Sequence, residues 1–312
     1  MDEFELIRRH FTRPVHHSRV GVGDDAALLY PSSGMETAVA TDMLVCGTHF
    51  LPDADPYSLG MKALAVNLSD LGAMGATPRQ ALLGIALPSV DVGWVERFAD
   101  GFAHTAERFG VDWVGGDTTR GPLNLCVTVL GELPAGSALL RSGARLGDVV
   151  WVSGVLGLAS LGLRHRQGSL VLPDSLVEPA LARLDSPEPR VALGVGLRGL
   201  ANACIDLSDG LLADLGHVLK ASRVGVELDW AALPRPLFDD DPELRRCVLS
   251  GGDDYELLFT ASPRCNDAIV ALAERLDVQV SQVGRIVAGS DLLLRDADGA
   301  RLVTPEGYRH FA

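Results

Sequence analysis

The chain has 312 residues, of which 47% are apolar and 22% charged, and a formal net charge of −14. That balance supports cores of ordinary size and excludes a largely disordered chain. The negative charge, with no basic stripe to offset it, argues against a nucleic-acid partner.

No stretch approaches the uninterrupted apolar length of a membrane span. The opening MDEFELIRRHF is acidic at once and lacks the apolar segment of a signal peptide, so a cytoplasmic protein with no membrane partner is expected. Five cysteines occur without a C-x-x-C pair, which fits free thiols in a reducing compartment and makes a zinc site a poor reading. The basic residues are nearly all arginine, with Lys62 and Lys220 the only lysines.

In chain order, residues 4–11 have helical apolar spacing. Residues 37–41 read as a short strand ending at Asp42. Asp55-Pro56 is a helix start, with Asp as cap and Pro in the first turn, and that helix is expected to reach about Gly72. A strand over 80–87 stops at Pro88. Residues 92–109 form a long amphipathic helix closed by Gly110. Strands follow at 111–114, running into Gly115-Gly116-Asp117, and at 123–133. Pro, Gly and Ser cluster over 134–147, which places a boundary there and gives domains of 1–138 and 139–312. The second half opens with a strand at 149–152 and continues with helices near 156–166, 176–184 and 189–200. A strand at 203–206 ends in LSDG, a helix runs to about Ser222, and strands at 226–230, 256–260 and 278–283 surround a helix at 266–276. The order is mixed throughout, an α/β (α+β) chain of two domains.

One group of carboxylates stands apart from surface acids. Asp24-Asp25 in GVGDDAALL, Asp42 in VATDML, Asp70 in NLSDLGAMG, Asp117 in GGDTTRG, and Asp206 and Asp209 in IDLSDG all sit beside glycine or after apolar runs. Singly, each has a plain reading: a turn at Asp24-Asp25, a polar helix face at Asp70, helix caps at Asp117 and Asp209. Together they are expected to converge at strand ends, where clefts form and where mutual repulsion requires cations. Oxygen ligands without His or Cys fit Mg²⁺ rather than zinc, with Ca²⁺ and Mn²⁺ as alternatives.

The familiar phosphate-binding machinery is missing. No G-x-x-x-x-G-K-[ST] segment, H-R-D loop or D-F-G triplet occurs. Gly194-x-Gly196-x-x-Gly199 matches the dinucleotide fingerprint but follows prolines instead of a strand, and reads as a helix with packing glycines. Charge neutralisation then falls to metal ions and arginine, with Arg141 in LLRSGA the best candidate.

The segments GVGDDAAL, ATDML, HFLPDADP, KALAVNLSDLGAMGA, GGDTTRG, RSGA, IDLSDGL, SGGDDYEL and GYRHF, in this order, resemble the thiamine-monophosphate kinase family over nearly the whole chain. That resemblance implies a two-domain fold like aminoimidazole ribonucleotide synthetase. Its N-terminal domain dimerises through its sheet, its C-terminal domain is α/β, and ATP lies in a cleft near the dimer interface. It implies transfer of phosphate from ATP to thiamine monophosphate with several Mg²⁺ ions. Carried over by motif, Asp25, Thr41, Asp42, Asp70, Asp117, Asp206 and Asp209 ligate metal, with Asp24 an additional candidate. Gly116, Asp117, Arg141 and Ser208 contact ATP, and His49, Asp253 and Tyr308 contact the substrate. Ala40, Asp253 and Pro305 depart from residues the family often carries, Ser, Glu and an aromatic.

The implied acceptor is an oxygen of a phosphate monoester, already largely anionic near neutral pH. No general base or covalent nucleophile is therefore assigned, and catalysis is positioning plus electrostatics. Two other readings fit the motifs less well: another ATP-using member of the same superfamily, and a non-catalytic nucleotide or metal sensor. A selenophosphate synthetase would carry a reactive cysteine in its N-terminal loop, and no cysteine precedes Cys46.

Overall fold

The computed structural model describes residues 3–23, 25–236 and 242–308. They form two compact units, one of the described residues up to 71 with 76–136, the other of residues 72–75 with the described residues from 137 onward.

The first unit begins with α1 (Glu3–Leu6), which continues as a π-helical turn over Ile7–Phe11. A two-stranded sheet pairs β1 (Ser18–Val20) with β2 (Leu28–Leu29). The main sheet has four strands in the order β3 (Met35–Val45), β6 (Asn124–Pro134), β4 (Thr77–Leu87), β5 (Asp112–Arg120). Two helices cross over it, α2 (Pro56–Ala73) and α3 (Val92–Phe109). The Asp55 carboxylate accepts the Ser58 N–H and hydroxyl at 3.0 and 3.1 Å, so the expected cap starts α2. Gly110 ends α3 in the left-handed region at φ 63°. The two helices approach closely at Gly60 and Gly101, where an added Cβ would fall 2.1 Å from the Phe98 carbonyl oxygen and 1.9 Å from that of Tyr57.

Burial alternates along this sheet. Leu125, Val127 and Val129 of β6 are fully buried, in register with Leu83 and other inward residues of β4. The opposite face carries Val39 and Met43, which are 62% and 55% exposed, with Cys126, Leu130 and Leu82 partly open beside them.

The second unit holds a seven-stranded sheet in the order β13 (Gly299–Leu302), β12 (Leu292–Asp296), β9 (Gly225–Asp229), β11 (Val280–Val287), β7 (Val149–Ser153), β10 (Leu257–Ala261), β8 (Ala201–Asp206). It is packed on both sides. Val150, Val152, Ala203, Ile205 and Leu258 join one apolar cluster, while Trp151, Cys204, Leu257 and Phe259 join another. Successive residues of one strand thus enter different cores, which explains runs such as VVWVS and LLFTA that show no alternation. Helices α4 (Leu158–Arg166), α5 (Asp174–Asp185), α6 (Val191–Leu197), α7 (Leu211–Ser222), α8 (Pro242–Ser250) and α9 (Asn266–Leu276) complete the unit. Gly194 and Gly196 lie inside α6, and a Cβ on Gly196 would fall 2.5 Å from Leu272, so these glycines serve helix packing.

Two expectations about strand ends need correction. Asp42 lies within β3, because eleven residue pairs with β6 carry the strand on through Met43-Leu44-Val45. Asp117 lies within β5, whose pairing with β4 continues through Thr118, Thr119 and Arg120. No helix follows Asp117, so it is not a cap.

All five cysteines are free. Among the described residues no helix is long and apolar enough to cross a membrane.

Candidate functional site

In the first unit the singled-out acids fall into two groups. The Asp42 N–H donates to Asn67 Oδ1 at 3.0 Å, and Asn67 is fully buried on α2, one turn before Asp70. That bond ties the Asp42 backbone to α2 one turn from Asp70. Thr41 points to the opposite face of the sheet, where its hydroxyl donates to the Val127 carbonyl at 3.0 Å and meets Thr128 Oγ1 at 2.9 Å. The structure does not bring the Thr41 and Asp42 side chains together.

The second group is Asp25 with Asp117. Both line a cleft of about 660 Å³ with Gly115, Gly116, Arg8 and Phe11. Gly116 has φ 156°, and a Cβ there would fall 1.8 Å from the Leu83 carbonyl oxygen. Only glycine lets β5 follow this path, which leaves backbone exposed in the cleft. The row of paired residues from Asp42 passes through Val127 and Leu83 to Gly116. Three strand spacings, about 14 Å, separate the two groups along it. Asp24 lies outside the described residues. His49 sits in the turn after β3, where its Nδ1 accepts the Val45 N–H at 3.0 Å.

The second unit carries the rest. Asp206 is buried at the end of β8, and Ser208 and Asp209 follow in the loop before α7. That loop is interlocked with the Gly251–Glu256 segment. The Tyr255 N–H donates to the Leu207 carbonyl at 2.8 Å and the Asp253 N–H to the Ser208 carbonyl at 2.9 Å. Asp253 and Tyr255 adopt the left-handed region at φ 67° and 49°, which costs free energy at non-glycine residues and clusters at functional segments. The Tyr255 hydroxyl donates to Asp253 Oδ1 at 3.3 Å, orienting that carboxylate.

Arg141 is exposed in a turn held by Ser222, the last residue of α7. The Ser222 hydroxyl donates to the Arg141 carbonyl at 3.2 Å and accepts the Gly143 and Ala144 N–H groups at 3.1 and 3.2 Å. Tyr308, half exposed, lines a cleft of about 860 Å³ against α7, together with Asp209, His217, Lys220 and Arg223. Its N–H donates to the Asp209 carbonyl at 3.0 Å. Pro305 also lines this cleft, and a Cβ on Gly216 would meet it at 2.7 Å.

Three further acids, buried and unmarked by sequence pattern alone, support these loops. Asp254 accepts the Gly157 N–H on both carboxylate oxygens at 2.9 and 3.1 Å, and burial pushes its carboxyl well above the usual range. Glu256 is held by Arg190 at 2.6 and 2.7 Å, Ser153 at 2.6 Å and Arg183 at 3.3 Å. Asp214, in the first turn of α7, accepts the Asp209 and Gly210 N–H groups; burial, with repulsion from Asp206 and Asp209, pushes its carboxyl up to about 7. The expected cap at Asp209 is absent, since Gly210 occupies the N-cap with no side-chain bond. The available signal was an acid four residues after the glycine of LSDG, on the inward side of the following helix.

Among the described residues no three of His, Cys, Asp and Glu lie close enough together to hold a metal ion. Carboxylates without His or Cys partners are a donor set suited to Mg²⁺, which typically takes one or two carboxylates, keeps several waters and completes its shell with substrate phosphates.

The scaffold is that of the AIR synthase related proteins, whose N-terminal domain matches residues 23–133 and whose C-terminal domain matches residues 145–296. The thiamine-monophosphate kinase of Escherichia coli (strain K12) is 43% identical over 99% of this chain and 98% of its own length. The crystal structure of thiamine-monophosphate kinase from Stenotrophomonas maltophilia K279a superposes with a TM-score of 0.85 at 42% identity, covering 93% of this chain and 94% of that one. AaThiL complexed with AMPPCP and TMP gives a TM-score of 0.78 at 29% identity, covering 99% and 96%. The chain belongs to the thiamine-monophosphate kinase family.

Proposed function

We propose that this protein transfers a phosphoryl group from ATP to thiamine monophosphate, giving thiamine diphosphate and ADP. The observation that carries this reading is full-length similarity at 43% identity to a thiamine-monophosphate kinase.

Asp25 and Asp117 in the glycine-lined cleft, Asp42 and Asp70, and Asp206 with Asp209 are the residues that would hold Mg²⁺. Bound with the nucleotide, Mg²⁺ supplies the charge neutralisation that lets two phosphate groups approach. The chain's own work is binding and orientation. Gly116 and Ser208 offer backbone and hydroxyl contacts to ATP, and Arg141 extends an exposed guanidinium from a turn fixed by Ser222. Asp253, oriented by Tyr255, His49 and Tyr308 face the thiamine phosphate. Transfer is direct and in line, with no phosphoenzyme. The open apolar face around Val39 and Met43 supports a homodimer formed through the four-stranded sheets. Free cysteines and a cofactor-biosynthetic reaction support a cytoplasmic location.

The test is a coupled assay with purified protein, ATP, Mg²⁺ and thiamine monophosphate, scored for thiamine diphosphate and ADP. Formation of both products in equal amounts is expected. No turnover despite measurable Mg·ATP binding would favour a sensor. Incubation with labelled ATP alone should leave no stable label on the protein.

A further inference from the structure

We infer that Asp214 is a positioning residue, fixing the backbone of the Asp206–Gly210 loop so that Ser208 and Asp209 are presented to the nucleotide and its metal. This inference rests on the reading of that loop as part of a kinase site.

The geometry is specific. Asp214 is 3% exposed, and one oxygen, Oδ2, accepts the N–H groups of both Asp209 and Gly210 at 3.1 Å. The Asp214 N–H returns a bond to the Gly210 carbonyl at 3.0 Å. This resembles the reciprocal half of a capping box, in which an acid inside the first turn reaches back to the residues that precede it. Here the acid holds two consecutive N–H groups of the loop that carries the candidate ligands.

The carbonyl side of the same loop is occupied by other elements. Leu207, Ser208 and Asp209 offer their carbonyls to the N–H groups of Tyr255, Asp253 and Tyr308. Gly210, at φ 117°, is wedged where a Cβ would fall 2.8 Å from the Ser250 carbonyl carbon. The loop is therefore gripped from both sides, and Asp214 supplies the grip on its N–H side. Because both N–H groups share a single oxygen, an amide oxygen at the same position can replace the carboxylate. A methyl group cannot.

Buried in the first turn of α7, Asp214 acts through the loop and not on substrate. Ser208 and Asp209 lie in the gripped segment itself, whereas Asp253 and Tyr308 meet it through their backbone N–H groups, so the loss of Asp214 should alter Mg·ATP binding more than thiamine phosphate binding. The test compares Asp214→Ala with Asp214→Asn in the full chain, using steady-state kinetics and amide hydrogen exchange over residues 205–212. In Asp214→Ala, the KM for Mg·ATP and the Mg²⁺ concentration for half-maximal rate should rise at least about tenfold, with the KM for thiamine monophosphate changing less than about threefold. Exchange at Asp209 and Gly210 should accelerate in Asp214→Ala, and Asp214→Asn should recover most of both properties.

A folded Asp214→Ala protein with wild-type Mg·ATP dependence overturns the inference, as does equal impairment in Asn and Ala. If Asp214→Ala does not fold, wild-type exchange decides, because unprotected Asp209 and Gly210 amides contradict the grip directly. Wild-type protein that shows this protection but phosphorylates no thiamine monophosphate rejects the kinase reading and leaves the grip standing.

Discussion

The two sheets of this protein solve the same burial problem differently. The seven-stranded sheet has apolar clusters on both faces, so Trp151 and Val152, adjacent in sequence, belong to different cores. The four-stranded sheet has its helices on one face, and the other face leaves Val39 and Met43 largely in solvent. A sheet buried on both sides is finished within one chain. A sheet with an open apolar face has surface left for a partner. The proposed ligands lie on each unit, so substitutions in either should lower turnover, whereas only the open sheet face of the first should govern association.

The strongest test of that division is chemical. Asp117→Asn in the first unit and Asp206→Asn in the second should each lower kcat/KM about a thousandfold, about 4 kcal/mol of barrier, with unchanged circular dichroism. A variant at either position with wild-type turnover removes that unit from the site. Next in size is the doubly buried sheet. Phe259→Ala should destabilise by about 3–5 kcal/mol, read as a lower urea midpoint, because Phe259 is fully buried and stacks with Trp151 at 6.1 Å. The open face should respond in the opposite way. Val39→Glu should cost the isolated chain less than about 0.5 kcal/mol. It should nonetheless weaken self-association about a hundredfold in sedimentation, because each copy would bury an unpaired carboxylate. A dimer that survives Val39→Glu places the interface elsewhere.

The smallest effect concerns acid. Burial raises the Glu132 pKa, but the Ser32 hydroxyl and N–H and the Arg79 guanidinium outweigh it, so the folded value lies below the ordinary 4.5. A depressed folded pKa contributes stability above the unfolded value and loses it as pH falls through the folded one. Glu132→Gln should therefore flatten the loss of stability below about pH 5, in unfolding curves taken at successive pH values.

Much of the architecture could be read from local signals. The Asp55 cap, the Gly110 stop and the span of α3 all follow from residues within a turn of the feature. What escaped depends on distant partners. The glycines and polar residues near Asp42 and Asp117 suggest strand ends, yet pairing with β6 and β4 carries both strands onward. The tie between β3 and α2 runs from the Asp42 N–H to Asn67, a buried amide whose partner 25 residues away the NLSD motif does not reveal. Asp214, Asp254 and Glu256 look like ordinary helix or loop acids until burial and their N–H or arginine partners are known. The short segments LLLRD of β12 and GARL of β13 are too brief to show a clear period and become strands through their pairing with β9 and with each other.

A practical consequence follows from the sparse lysines. Lys62 is 5% exposed on α2, whereas Lys220 is open to solvent in the cleft it shares with Tyr308 and Asp209. With α-amino groups selectively blocked first at near-neutral pH, an amine-reactive fluorophore should therefore modify a single side chain on the folded protein, and its emission would track the environment next to the Ser208–Asp209 loop without any engineered residue.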